Sequence, residues 1–107
     1  MTATLPAPGA ALIEATNDGD TDAFLRTFTA AGVVDDWRRE FTGRAEIGTW
    51  NETEFIGKQV TLSVLDFVSR TSETAVSARV GGNGFNGPST FTFVIEGNAM
   101  SRMDIRA

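Results

Sequence analysis

The spacing of apolar residues changes at Lys58. Before it they recur at helical intervals; after it they alternate along strands. A chain of 107 residues with helices first and strands after can bury both sets of apolar sides only against each other. The expectation is one α+β domain over residues 1–107, with helices on one face of a curved antiparallel sheet. At 41% apolar residues, with eight Phe and two Trp, the chain can build that core without staples.

Met1 to Pro8 reads as a short extended leader, with Pro8 suited to a first helical turn. Gly9 to Asn17 is a predicted helix, and Gly19 is placed to end it in the left-handed conformation. Asp20 is the expected N-cap of a second helix, with Asp22 in its first turn and Phe24, Leu25 and Phe28 as its apolar side. That helix is expected to end over Ala30 to Gly32. Val33 to Trp37 reads as a strand, followed by a reversal through Arg38 to Glu40. Thr42-Gly43 opens a third helix, in which Ile47, Trp50 and Glu54 share a face, and Gly57 closes it. Lys58 to Arg70 is apolar on both sides and reads as a central strand covered on both faces. Thr74–Val80, Thr90–Glu96 and Ala99–Arg106 complete the meander, the last two joined by a Gly97-Asn98 hairpin.

The chain contains no Cys, His or Tyr, and Lys58 is its only lysine. Thiol nucleophiles, Ser-His-Asp mechanisms and Cys/His zinc sites are excluded. The net charge of −5 argues against nucleic-acid binding, which depends on neutralising phosphates. No apolar run is long enough for a membrane span, and the first residues do not read as a signal peptide, so a cytoplasmic protein is expected. Asp18, Asp20 and Asp22 lack the calcium-loop pattern, and the glycines at 81, 82, 84 and 87 lack the residues of a phosphate loop. No metal and no cofactor are expected.

Four stretches resemble the nuclear-transport-factor-2-like superfamily, and within it the SnoaL-like group of small α+β cone domains. They are Asn17-Asp18-Gly19-Asp20 with Phe24 and Phe28; Gly32 to Asp36; Phe41 to Trp50, with its Gly43, Ile47 and Trp50 spacing; and Phe91-x-Phe93 with the final hairpin. The resemblance implies a cystatin-like cone whose helices and sheet enclose a cavity. It implies catalytic and non-catalytic functions alike, since isomerases, cyclases, hydrolases and association domains share this fold.

Asp36 matches the catalytic base of the ketosteroid-isomerase members. Strand alternation sends Val34 and Asp36 to one face and Asp35 to the other. The plain alternative is a strand-end acid paired with Arg38 or Arg39. The phenol that donates to the oxyanion in those isomerases corresponds to Leu12, and the acidic donor falls near Ser89 or Thr90, so steroid isomerisation is not expected. Arg79 or the Trp50 N–H is the remaining candidate donor. The expected cavity wall comprises Leu12, Val34, Trp50, Phe55, Phe91 and Phe93, with Phe85 on its glycine-flanked loop as a lid. The leading reading is a binder of a small apolar molecule, with Asp36 able to transfer a proton or activate water. The alternative is a non-catalytic homodimeric association domain. A homodimer through the sheet face is expected in either case, because helices can cover only one side.

Overall fold

The computed structural model describes residues 5–107. The first four residues of the expected leader lie outside them. Three helices and six strands follow in the order α1 (Ala7–Asp18), α2 (Thr21–Arg26), β1 (Phe28–Asp36), β2 (Arg39–Thr42), α3 (Gly43–Glu54), β3 (Thr61–Ser69), β4 (Glu73–Gly81), β5 (Gly87–Glu96) and β6 (Ala99–Arg106). A single 3₁₀ turn, Ile56–Lys58, joins α3 to β3.

The caps follow from local chemistry. Gly19 ends α1 at φ +68°, and the Asp20 side chain accepts a hydrogen bond from the Ala23 N–H at 3.0 Å at the start of α2. The second helix is shorter than its sequence suggests. Phe28 does not continue it but begins β1. The Met100 N–H donates to the Thr27 carbonyl at 2.7 Å, so pairing with β6 takes this segment from the helix. Phe24 and Phe28 still meet, with ring centroids 5.6 Å apart.

All six strands form one sheet in the order β2-β1-β6-β5-β4-β3. Every neighbouring pair is antiparallel except β1 and β6, which run parallel. The expected all-antiparallel sheet therefore has one exception, made where the first strand and the last, far apart in sequence, come together. Register shifts in β1, β3 and between β5 and β6 bend the sheet around the helices.

The inner face carries Val34 of β1, Val76, Ala78 and Val80 of β4, Phe91 and Phe93 of β5, and Met103 and Ile105 of β6, all buried. They pack beneath Leu12, Phe24, Ile47 and Trp50 of the helices. Phe93 lies so close under α1 that a Cβ on Gly9 would stand 2.9 Å from its ring. Only glycine at position 9 lets the helix rest there.

β3 is an edge strand, not the expected central one. The shift between Val64 and Asp66 leaves Leu65 without a partner in β4 and reverses the alternation beyond it. Leu62 points inward before the shift and Phe67 after it, so Leu65 and Val68 are left exposed; Val64, on the side of Leu62, is 40% exposed at the open edge. Apolar residues on both sides of this segment reflect a bulge, not two covered faces. On β5 and β6 the outer sheet face carries Thr90, Thr92, Arg102, Asp104 and Arg106 opposite the helices.

Candidate functional site

A cavity of about 350 Å³ opens between the C-terminal end of α3, the Gly84-Phe85 loop and the inner face of the sheet. Its walls are Trp50, Phe55 and Phe91 with Val60, Val80 and Ile105. Trp50 and Phe55 lie stacked, 5.0 Å between centroids at 21°, because Phe55 follows the last turn of α3 and folds back on it. Asp36, Glu54 and Lys58 stand around the mouth with Trp37 and Phe85, and Ser89 adds a hydroxyl to the wall.

Strand alternation places Asp36 as expected. It is opposite Ile105 in the sheet, on the inner face, and its side chain is 16% exposed. Trp50 donates from Nε1 to Asp36 Oδ2 at 3.0 Å, and Arg39 donates to the same oxygen at 2.6 Å. Arg39 also makes two hydrogen bonds to the Glu54 carboxylate, at 2.7 and 3.1 Å. That guanidinium holds the Glu54 carboxyl below the usual carboxylate range and is itself raised further by the two acids. Asp36 is thus both an acid at a cavity wall and an acid paired with Arg39. Both contacts fall on Oδ2. Among the described residues, Oδ1 accepts no hydrogen bond.

Asp35 takes the other face and is almost fully buried there by two arginines. Arg102 donates to its Oδ2 at 2.8 Å and Arg106 to its Oδ1 at 3.0 Å. The Arg38 backbone N–H caps Oδ1 at 2.7 Å. The Arg106 hydrogen bond is the main reason that the Asp35 carboxyl lies below its ordinary range, with Arg38 and Arg102 reinforcing it against the opposing effect of burial. Side by side in sequence, Asp35 braces the sheet and Asp36 faces the cavity.

Several residues expected at the wall lie elsewhere. Leu12, Val34 and Phe93 are sealed in the core: Phe93 lies directly under α1, and Leu12 and Val34 are fully enclosed between the helices and the sheet. Of the named wall residues, Trp50, Phe55, Phe85 and Phe91 reach the cavity. Arg79, offered as an alternative donor, pairs with Ser63 and Pro88 on the outer face and is exposed. The Trp50 N–H is committed to Asp36. The reading from sequence missed Trp37, Lys58, Val60, Val80 and Ile105 at this site, and named Ser89 only as a position near which the resemblance puts an acidic donor. Trp37 escaped because the hairpin turns on Trp37-Arg38, one residue earlier than expected.

No family model matches the chain, and no curated protein matches it in sequence. Solved structures match over nearly its whole length. A Sinorhizobium meliloti protein provisionally named a polyketide cyclase is 25% identical, with a TM-score of 0.88 over 95% of each chain. A Catenulispora acidiphila protein with a ketosteroid isomerase-like fold, solved in complex with trimethylamine, is 19% identical. It superposes with a TM-score of 0.82 over 97% of this chain and 87% of that one. A computationally designed binder of 17-OHP is 15% identical, with a TM-score of 0.86 over 98% of this chain and 92% of the binder. The layered helices, the six-stranded sheet and these superpositions agree: the chain has the fold of the nuclear-transport-factor-2-like superfamily, in the form shared with its SnoaL-like members.

Proposed function

We propose that the cavity binds a small, predominantly apolar molecule that presents one hydrogen-bond donor to Asp36. The observation that carries this reading is the asymmetry of the Asp36 carboxylate. Arg39 and Trp50 fix Oδ2, which leaves Oδ1 unpartnered at the edge of an aromatic cavity. Apolar walls with a few fixed polar groups are the usual make-up of a small-molecule site. An open cavity beside an inward acid also favours this reading over an association domain, in which the same space would be filled by side chains. The relatives support it as well, since they include a protein provisionally named for a cyclase and a designed small-molecule binder.

A catalytic step at this site would start at Oδ1, which can take a proton from a bound molecule or from water. Stabilising the resulting anion would fall to the Ser89 hydroxyl and the Lys58 ammonium, the wall groups free to donate. Leu12 is in the core and cannot take part. Steroid isomerisation is therefore not part of the proposal.

The test uses N-phenyl-1-naphthylamine, a flat apolar fluorophore with one N–H. Its emission is expected to rise saturably with added protein. Asp36→Asn is expected to weaken binding about tenfold or more, the range for losing a hydrogen bond to a charged group. The amide oxygen stays with Arg39 and Trp50, so the NH₂ group turns toward the cavity and a donor meets a donor. Equal affinity in wild type and Asp36→Asn would remove Asp36 from the site.

A further inference from the structure

The β1–β2 hairpin turns on Trp37 and Arg38 alone, between the paired residues Asp36 and Arg39. Both turn residues have positive φ, 54° for Trp37 and 75° for Arg38. A two-residue hairpin of this kind calls for Asn or Gly, because a side chain with a Cβ is disfavoured in the left-handed region. A bulky aromatic residue there is an outlier that persists only when its surroundings hold it. They do so here: the Trp37 N–H donates to the Ile105 carbonyl at 3.2 Å, and the Arg38 N–H donates to Asp35 at 2.7 Å.

The strained position does not bury the indole. Trp37 is 54% exposed, and among the described residues its ring stacks on no other aromatic and its Nε1 makes no hydrogen bond. Neither packing nor turn preference accounts for a tryptophan at this point. Its location does, because Trp37 lines the mouth of the Asp36 cavity. Phe85, 57% exposed, lines the same mouth from the Gly84-Phe85 loop. That loop is held in place, since the Asn86 side chain donates to the Gly82 and Gly84 carbonyls and the Asn83 N–H donates to the Lys58 carbonyl. Two large aromatic rings are thus carried to one opening by two tightly fixed turns, and both are left facing solvent.

Resting on the cavity reading above, we infer that Trp37 and Phe85 form an outer aromatic subsite for ligands longer than the cavity. The ligand class is an elongated, flat apolar molecule. Its first ring system sits inside, its donor meets Asp36 at the mouth, and a second ring emerges between Trp37 and Phe85. Exposed aromatic rings offer large contact area at little cost in side-chain entropy, which suits them to grip such a projecting ring.

The experiment compares two probes with the same N–H and naphthyl group. The short probe is N-phenyl-1-naphthylamine, and the long probe is N-(4-biphenylyl)-1-naphthylamine, which carries one more ring. Binding is read from probe fluorescence, and stability from thermal unfolding followed by circular dichroism. Wild type is expected to bind the long probe about tenfold more tightly than the short one. Trp37→Asn is expected to bring that ratio to about one while raising Tm by a few degrees, because Asn suits the turn better. Trp37→Phe, which keeps an aromatic ring, is expected to retain most of the ratio. Arg38→Gly relieves the same turn without touching the mouth, so it is expected to raise Tm and leave the ratio as in wild type. A merely structural Trp37 would give the opposite pattern, with a lower Tm and an unchanged ratio in Trp37→Asn. A ratio near one in wild type, or an unchanged ratio in Trp37→Asn, overturns the outer subsite alone. Failure of both probes to bind wild type overturns the cavity reading and the subsite with it.

Discussion

Trp50→Ala is expected to lower stability by about 3–5 kcal/mol, the range for removing a buried large aromatic residue. Trp50 is 2% exposed and is the hub of the aromatic cluster. Its ring stacks on Phe55 at 5.0 Å and on Phe41 at 6.0 Å, and it meets Phe24 at 6.4 Å. Alanine would empty the space between α3 and the sheet, and it would also release Asp36 Oδ2 from the indole N–H. Trp50→Phe separates the two roles. It keeps most of the packing and removes only the donor, so its loss of stability is expected to be about 1–2 kcal/mol. Probe binding in Trp50→Phe is expected to fall more than its stability would suggest, since the carboxylate is then held by Arg39 alone. Denaturant unfolding of both variants, beside probe titration, checks this. A loss under about 1 kcal/mol for Trp50→Ala would show that the cluster does not depend on this ring.

The second large effect concerns Asp35. Asp35→Ala is expected to cost about 2–3 kcal/mol. Breaking a fully buried ion pair costs more, about 3–5 kcal/mol, but Arg102 and Arg106 are roughly one-third exposed and regain water. The pH dependence follows from the same contacts. The native Asp35 carboxyl lies below its unfolded value, as does that of Glu54. Such groups add stability that is fully present above the unfolded value, about 4, and that is lost as pH falls through the lower native value. Glu54 is more exposed than Asp35 and contributes less. Urea midpoints of wild type are therefore expected to drop as pH is lowered from about 5 toward 2. Asp35→Asn should start lower at neutral pH and decline less steeply. Parallel declines in the two proteins would mean that Asp35 is not a main source of the acid sensitivity. Probe binding offers a contrast between neighbours, because the large effect of Asp35 substitution is on stability, whereas that of Asp36→Asn is on affinity.

Much of this arrangement is written in short-range pattern. The Gly19 and Asp20 caps, the helix opening at Gly43, the Gly97-Asn98 hairpin and the alternation of β4 and β5 each follow from residues within a few positions of one another. The opposite faces of Asp35 and Asp36 follow from the same alternation, and the shared side of Ile47 and Trp50 follows from helical spacing. These features were legible because one local preference decides each of them. Phe91 and Phe93 were recognisable as one apolar face, but alternation alone does not say which side of the sheet the helices cover. The packed structure does: both rings lie under the helices.

Tertiary structure decided the rest, wherever two distant segments had to meet. Phe28 left its helix because Thr27 pairs with Met100 across the sheet. β3 became an edge because of where it falls in the strand order, and the bulge at Leu65 then turned Leu65 and Val68 to solvent. The division of the inner face into sealed core and open cavity has the same origin. Leu12, Val34 and Phe93 read no differently in sequence from Phe55 and Phe91, but Phe93 lies directly under α1 and Leu12 and Val34 are fully enclosed between helices and sheet, whereas the end of α3 and the Phe85 loop stop short of covering the others. Periodicity records which side of an element is apolar. Whether an apolar side chain meets another side chain or an empty space depends on how far the opposing elements reach, and that is a property of the whole packed chain.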